Sequence, residues 1–307
     1  DRLVQSSGGV RGLDFYIGLL AIFLGMEAAR RAVGLPLTFF AGFFLLYGLY
    51  GNYFPGFLAH RGQSIENLTQ LMFYTTDGIL GTPLSVSATY IFLFLLFAAF
   101  LVKTGVGQYF NDLAVAVAGK LVGGPAKVAI FSSALQGTIS GSSVANVVTS
   151  GSYTIPMMKK LGYKKEFAGA VEASASTGGQ LMPPIMGAAA FLMVEFIGRG
   201  ITYWDIAKAA AIPALLYFTG IWIMTHFEAK RLGLKGLTEE EMPDRKEVFK
   251  KIYLLTPIVL IIILMMNGIH VAHAALYGIL ACIVVGFINP DVKLGIKELI
   301  EALADGA

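Results

Sequence analysis

Charge is scarce in this sequence. Asp, Glu, Lys and Arg make up 14% of its 307 residues, against about 25% in an ordinary soluble domain. A soluble protein of this size needs a polar exterior, and these charges are too few and too clumped to supply one. Residues 128–158 contain none, and neither do 252–290. Cysteine is nearly absent as well: the lone Cys282 lies in an apolar run, which excludes a disulfide framework and a cysteine-ligated metal. His270 and His273 stand three apart, but a metal site needs more ligands than that and none lie nearby in sequence. The glycine-rich stretches do not follow a strand, so a nucleotide-binding loop is excluded. The net charge of +3 gives no reason to invoke nucleic acid. No basic-then-apolar signal segment opens the chain, which starts at Asp1 and stops at Ala307 after an amphipathic stretch. Both ends read as cuts in a longer protein.

What is present is apolar length. Crossing a hydrocarbon core of ~30 Å takes roughly 20 residues of helix. Residues 15–29 and 35–50 are two somewhat short candidates, joined at Arg30-Arg31, and a loop over 51–63 carries His60-Arg61. Apolar spacing over 64–80 suits an interfacial helix. Residues 85–102 form an uncharged span, 107–121 an amphipathic helix closed by Gly123-Gly124-Pro125, and 209–225 another span. A charged loop over 228–251 precedes the uncharged stretch 252–290, which Asn267-Gly268 divides into a hairpin; 296–303 begins an amphipathic segment. Lys230, Arg231, Lys235, Arg245, Lys246, Lys250 and Lys251 place the loop in the cytoplasm by the positive-inside rule. Lys159, Lys160, Lys164 and Lys165 form a second basic cluster, and two crossings between the clusters put both on one side.

Two segments carry the chemistry. In 128–158 the centre reads Gly137-Thr138-Ile139-Ser140-Gly141-Ser142-Ser143, followed by Asn146, Thr149 and Ser150. A straight helix would leave these polar groups unpaired in lipid, which is costly unless they line a cavity or meet protein. Two half-helices of roughly 12 residues would reach ~18 Å, near the midplane, and return. The favoured reading is therefore a re-entrant hairpin tipped by the Ser/Gly cluster. The alternative is one span and a polar loop, with Ser and Gly packing helices together. In 173–194 the middle reads Ser176-Thr177-Gly178-Gly179-Gln180-Leu181-Met182-Pro183-Pro184. Each proline lacks an N–H and clashes with the carbonyl four residues back, so the carbonyls of Gly179 and Gln180 lose their helical partners. Freed carbonyls at the C-terminal end of a half-helix are ligands for a hard cation such as Na⁺. A half-helix restarting at Pro184 would offer the opposite pole, and a proline kink with no ion is the competing account. Helix N-termini bind carboxylates, and Ser142, Ser143 and Asn146 would open the hairpin's second limb.

Other residues receive plainer readings. Glu172 and Glu195 bracket the broken segment and are expected at membrane interfaces, with proton coupling through them as the alternative role. Tyr203 and Trp204 read as interfacial anchors, and Asn111 with Asp112 as the polar face of an amphipathic helix. The runs Phe39, Phe40, Phe43, Phe44 and Phe92, Phe94, Phe97, Phe100 read as packing against lipid or core.

The stretch from Gly137 to Asn146, then Gly151-Ser152-Tyr153-Thr154-Ile155-Pro156, then Glu172 to Pro184, resembles the large permease subunit of tripartite ATP-independent periplasmic (TRAP) transporters. Residues 13–61, with Ala59-His60-Arg61-Gly62, and Ser85-Val86-Ser87-Ala88-Thr89-Tyr90 resemble the fused type, in which small and large membrane subunits share a chain. The resemblance implies an all-α polytopic membrane protein of the cell inner membrane. It implies an elevator-type, Na⁺-driven importer of organic acids, supplied by an extracytoplasmic solute-binding protein and using no cofactor beyond the coupling ion. Carried over, the ion-binding residues are Ser140, Ser142, Ser143, Asn146, Gly178, Gly179 and Pro183. The substrate-binding residues are Ser142, Ser143, Asn146, Thr177 and Gln180. The expected division is 1–63 (end of a small-subunit region), 64–124 (interfacial and scaffold helices), 125–200 (transport hairpin and broken helix) and 201–307 (scaffold, loop and start of a second repeat). The family has two inverted repeats, and this chain stops before the second hairpin, so half a site is expected. An ion channel and a membrane enzyme with a serine nucleophile are the rival classes; the enzyme lacks any charged base within 128–158.

Overall fold

The computed structural model describes residues 10, 12–198, 200–292 and 294–306; Asp1 and Ala307, the two ends, lie outside them. The described residues are helical with no strand, and they divide into two units, residues 1–86 and 87–307. Five helical stretches among them are long and apolar enough to cross a membrane: Leu35–Tyr53, Thr82–Lys103, Tyr203–Arg231, Glu239–Met266 and Val271–Ile288.

The first unit holds α1 (Leu13–Ala32), α2 (Leu35–Tyr50), α3 (Ile65–Phe73) and α4 (Thr82–Val86). Tyr74 donates to the Asp14 carbonyl at 2.6 Å, pinning the end of α3 to the start of α1. Helix α2 has no buried residue although it is apolar throughout, so its Phe39, Phe40 and Phe44 present the surface expected in lipid. The helix expected over 64–80 stops at Phe73. Gly78 and Gly81 follow it, packed so tightly against backbone carbonyls that no side chain fits.

In the second unit a π-helical turn, Ser87–Ile91, leads into α5 (Phe92–Lys103). Here Phe94, Phe97 and Phe100 are buried while Phe92 is exposed, so the second phenylalanine run is mostly core where the first is exposed. Next come α6 (Val106–Ala118), α7 (Gly124–Ser140), α8 (Ser143–Leu161), α9 (Lys165–Gly178), α10 (Ala188–Ile197), α11 (Tyr203–Arg231), α12 (Arg245–Lys250), α13 (Thr256–Met266), α14 (Val271–Ile288) and α15 (Ile296–Gly306). Helices α13 and α14 form the expected hairpin. A Cβ on Gly278 of α14 would lie 2.5 Å from Ile261 of α13, so this glycine lets the helices close. Helix α15 lies along α5, where Lys103 pairs with Glu301 at 3.1 Å and Asp305 at 3.2 Å.

Helices α7 and α8 fold back on each other about Gly141 and Ser142. Their limbs have 17 and 19 residues, about 25 and 28 Å at 1.5 Å per residue. They are longer than the two 12-residue halves the sequence suggests. Gly123, at φ 68, and Pro125 start α7 before Lys127 rather than closing α6, and Lys159 and Lys160 remain inside α8. Both feet meet the region of the charged loop. Lys127 Nζ lies 3.0 Å from His226 Nδ1, and Lys160 pairs with Glu241 at 2.8 Å. The basic clusters therefore share one end of this unit.

Candidate functional site

Gly141 ends α7 with φ 56, a left-handed conformation that favours glycine. Ser142 is the N-cap of α8, its Oγ accepting the Ala145 N–H at 3.3 Å. Ser140 Oγ donates to Asn146 Oδ1 at 2.5 Å and accepts the Ser142 N–H at 3.3 Å. Asn146 is buried, and its Nδ2 reaches the Ser133 carbonyl across the hairpin at 3.3 Å. The tip is thus a closed loop of serine and amide groups, folded by one glycine and one cap.

The broken helix meets this tip. After Gly178 the chain tightens into a 3-10 turn, Gly179–Leu181, and runs extended through Met182. The α-helix resumes at Ala188 with Gly187 as N-cap, four residues beyond the restart expected at Pro184. Met186 takes φ 55, a left-handed conformation outside the helical region, so the helix forms only past it. The two carbonyls expected to be stranded have partners: Gly179 O accepts from Met182 N at 3.2 Å and Gln180 O from Gly187 N at 2.9 Å.

Contact between tip and break depends on glycine. A Cβ on Gly137 would stand 2.3 Å from Gly179 Cα, and one on Gly141 would stand 1.8 Å from the Met186 carbonyl oxygen. Gln180 Nε2 donates to Ser143 Oγ at 3.1 Å. Ser140, Ser142, Ser143, Asn146, Gly179 and Gln180 are therefore brought together. Gly178 faces away, with the Tyr217 ring 2.6 Å from where its Cβ would be. Thr177 is exposed, its hydroxyl donating to the Ala173 carbonyl at 2.7 Å. Pro183 is half-buried, in the turn that follows Met182. Beside the junction lies a cavity of about 510 Å³, lined by Ser142, Gln180, Met186, Met193 and the first turn of α10.

Three residues differ from their sequence reading. Tyr203 is buried rather than interfacial: it stacks on Phe191 at 4.5 Å and donates to the Ile185 carbonyl inside the unwound stretch. Asn111 turns its polar face inward, its Oδ1 accepting from Ser132 and, at 3.2 Å, from Gln136 of α7. Glu172 is fully buried inside the protein; the hydroxyls of Ser133, Ser150, Thr154 and Ser176 surround its carboxylate. The fourfold spacing of Asn146, Ser150 and Thr154 is the sequence signal for that inward polar stripe.

The family model for the tripartite ATP-independent periplasmic transporter, DctM component, matches residues 20–307. The chain is 27% identical over 216 residues to a C4-dicarboxylate TRAP transporter large permease protein of Vibrio cholerae, covering 69% of this chain and 44% of that relative. It is 26% identical over 232 residues to an isethionate TRAP transporter permease protein of Oleidesulfovibrio alaskensis, covering 75% and 33%. It is also 28% identical over 163 residues to a sialic acid TRAP transporter large permease protein of Vibrio cholerae, covering 52% and 37%. The chain thus spans less than half the length of these relatives. With the match running through the hairpin, the broken helix and the spans around them, this inner-membrane, multi-pass chain belongs to the DctM family of TRAP transporter large permeases.

Proposed function

We propose that this chain is part of the permease of a Na⁺-coupled secondary importer of organic acids. Its hairpin and broken helix contribute the first of two inverted halves of an elevator-type site, and an extracytoplasmic solute-binding protein delivers the substrate. The observation that carries the reading is that two helix N-termini border one cavity. Ser142 caps α8, Gly187 caps α10, and both line the space of about 510 Å³ at the junction. Unpaired N–H groups and the positive helix pole favour an anion, and a cavity of this size suits a small molecule. The relatives named for C4-dicarboxylates, isethionate and sialic acid support an anionic substrate.

The tip presents oxygens suited to a hard cation, Ser140 Oγ and Asn146 Oδ1. When bound, Na⁺ supplies the coupling charge; the residues themselves hold the geometry in which acid and cation share a junction. The test is uptake of a labelled dicarboxylate by the full-length transporter in proteoliposomes, with its binding protein and an inward Na⁺ gradient. Ser142→Ala is expected to lose Na⁺-driven uptake while keeping its elution profile, the lost cap costing only about 1 kcal/mol of stability. Unchanged uptake in that variant removes the site assignment.

A further inference from the structure

Glu172 is a fully buried carboxylate that the site described above does not use. Four hydroxyls surround it, drawn from three helices. Ser133 of α7 lies 3.2 Å from Oε1, Ser176 of α9 lies 3.0 Å from Oε1, Thr154 of α8 lies 2.5 Å from Oε2, and Ser150 of α8 bonds Oε1. Among the described residues no Lys, Arg or His forms an ion pair with it. A buried carboxylate without a cation is costly to maintain, and hydroxyl donors offset only part of that cost.

The cage adjoins the hairpin tip. Ser150 Oγ lies 2.8 Å from the Asn146 carbonyl, and the Ser133 carbonyl accepts from Asn146 Nδ2. Asn146 therefore touches the cage through its backbone and its side chain, while its Oδ1 meets Ser140 at the tip. Gly151 keeps the carboxylate close to α8, since a Cβ there would stand 3.0 Å from Glu172 Cγ.

We infer that Glu172 is the built-in counter-charge of the tip: a positioning residue whose negative charge, set behind Asn146 in a water-poor interior, holds the Na⁺ that the Ser140–Asn146 oxygens contact. The inference rests on the Na⁺ site of the proposed function. A purely structural role, as a polar staple joining α7, α8 and α9, requires the hydrogen-bonding shape of the side chain but not its charge.

The experiment is equilibrium binding of radioactive ²²Na⁺ to the purified full-length protein, with choline as the balancing cation. Wild type is compared with Glu172→Gln, Glu172→Asp and Asn146→Ala, each checked for monodisperse elution and its melting curve. Glu172→Gln keeps the shape and removes the charge, and is expected to raise the half-saturating Na⁺ concentration about tenfold, the electrostatic effect of a charge one hydrogen-bonded residue behind the tip. Glu172→Asp keeps the charge and is expected to stay within about threefold of wild type, again on electrostatic grounds. Wild-type affinity in a folded Glu172→Gln, with Asn146→Ala defective, overturns the inference and leaves the Na⁺ site standing. A folded Glu172→Asp that loses affinity tenfold overturns it too, even if Glu172→Gln fails to fold. Absence of Na⁺ binding in the wild type overturns the site and the counter-charge together.

Discussion

Gln180 and Ser143 are 37 residues apart, yet the amide of one donates to the hydroxyl of the other at 3.1 Å. The bond joins the 3-10 turn at the end of the broken helix to the first residue of α8. It is exposed, so its energetic weight is modest, about 0.5–1.5 kcal/mol for a hydrogen bond of this kind. Gln180→Ala is expected to leave the melting temperature nearly unchanged and to raise the half-saturating substrate concentration about two- to tenfold, the kinetic equivalent of that range. Uptake titrations at saturating Na⁺ measure this, and unchanged saturation would show the tie to be incidental.

Gly141 and Gly169 make a paired test of the packing. Gly141 has φ 56 and no room for a Cβ against Met186, whereas Gly169 in α9 has open space around it. Gly141→Ala is expected to lower stability by more than about 2 kcal/mol, from left-handed strain plus a backbone clash. Gly169→Ala should be neutral or stabilising by up to about 1 kcal/mol. Thermal unfolding in detergent separates the two. Equal effects would contradict the contact between tip and break.

Tyr203 restrains the unwound stretch from outside. Tyr203→Phe leaves the ring stacked on Phe191 but strands the buried Ile185 carbonyl, a loss of about 1–3 kcal/mol. Faster amide hydrogen exchange is expected over the segment between Met182 and Ala188, read by mass spectrometry, with exchange in α13 and α14 unchanged.

Burial at the foot of the hairpin pushes the Tyr163 phenol up to about 12. The folded protein therefore keeps this proton where an unfolded chain, with an ordinary value near 10, releases it. The resulting stability is fully present below about pH 10 and falls as pH rises toward about 12, because the native state then binds more protons. Between about pH 9 and pH 11 the wild type should lose more melting temperature than Tyr163→Phe. Parallel losses would place the phenol in water.

The hairpin and the break are legible in the sequence because each is a local conflict. Ser140-Gly141-Ser142 interrupts an uncharged run, and Pro183-Pro184 cannot continue a helix. The limb lengths are not legible, since Lys127 and Lys159 mark the edge of apolar character and not the ends of the backbone helices. The partners of freed carbonyls are equally hidden. Gln180 O finds Gly187 N only because the intervening chain loops back, a tertiary fact no spacing encodes. Glu172 shows the limit most clearly. As a charge beside an apolar run it suggests an interface, and only the convergence of Ser133, Ser150, Thr154 and Ser176 from three helices reverses that.

Where Gly137 meets Gly179, two main chains touch with no side chain between them. Any other residue type at either position would wedge the helices apart, so the gauge of the junction is fixed by peptide geometry alone. Variation in what this scaffold accepts must then come from the cavity walls, at Gln180, Met186 or Met193, while the frame that registers the hairpin against the interrupted helix stays constant.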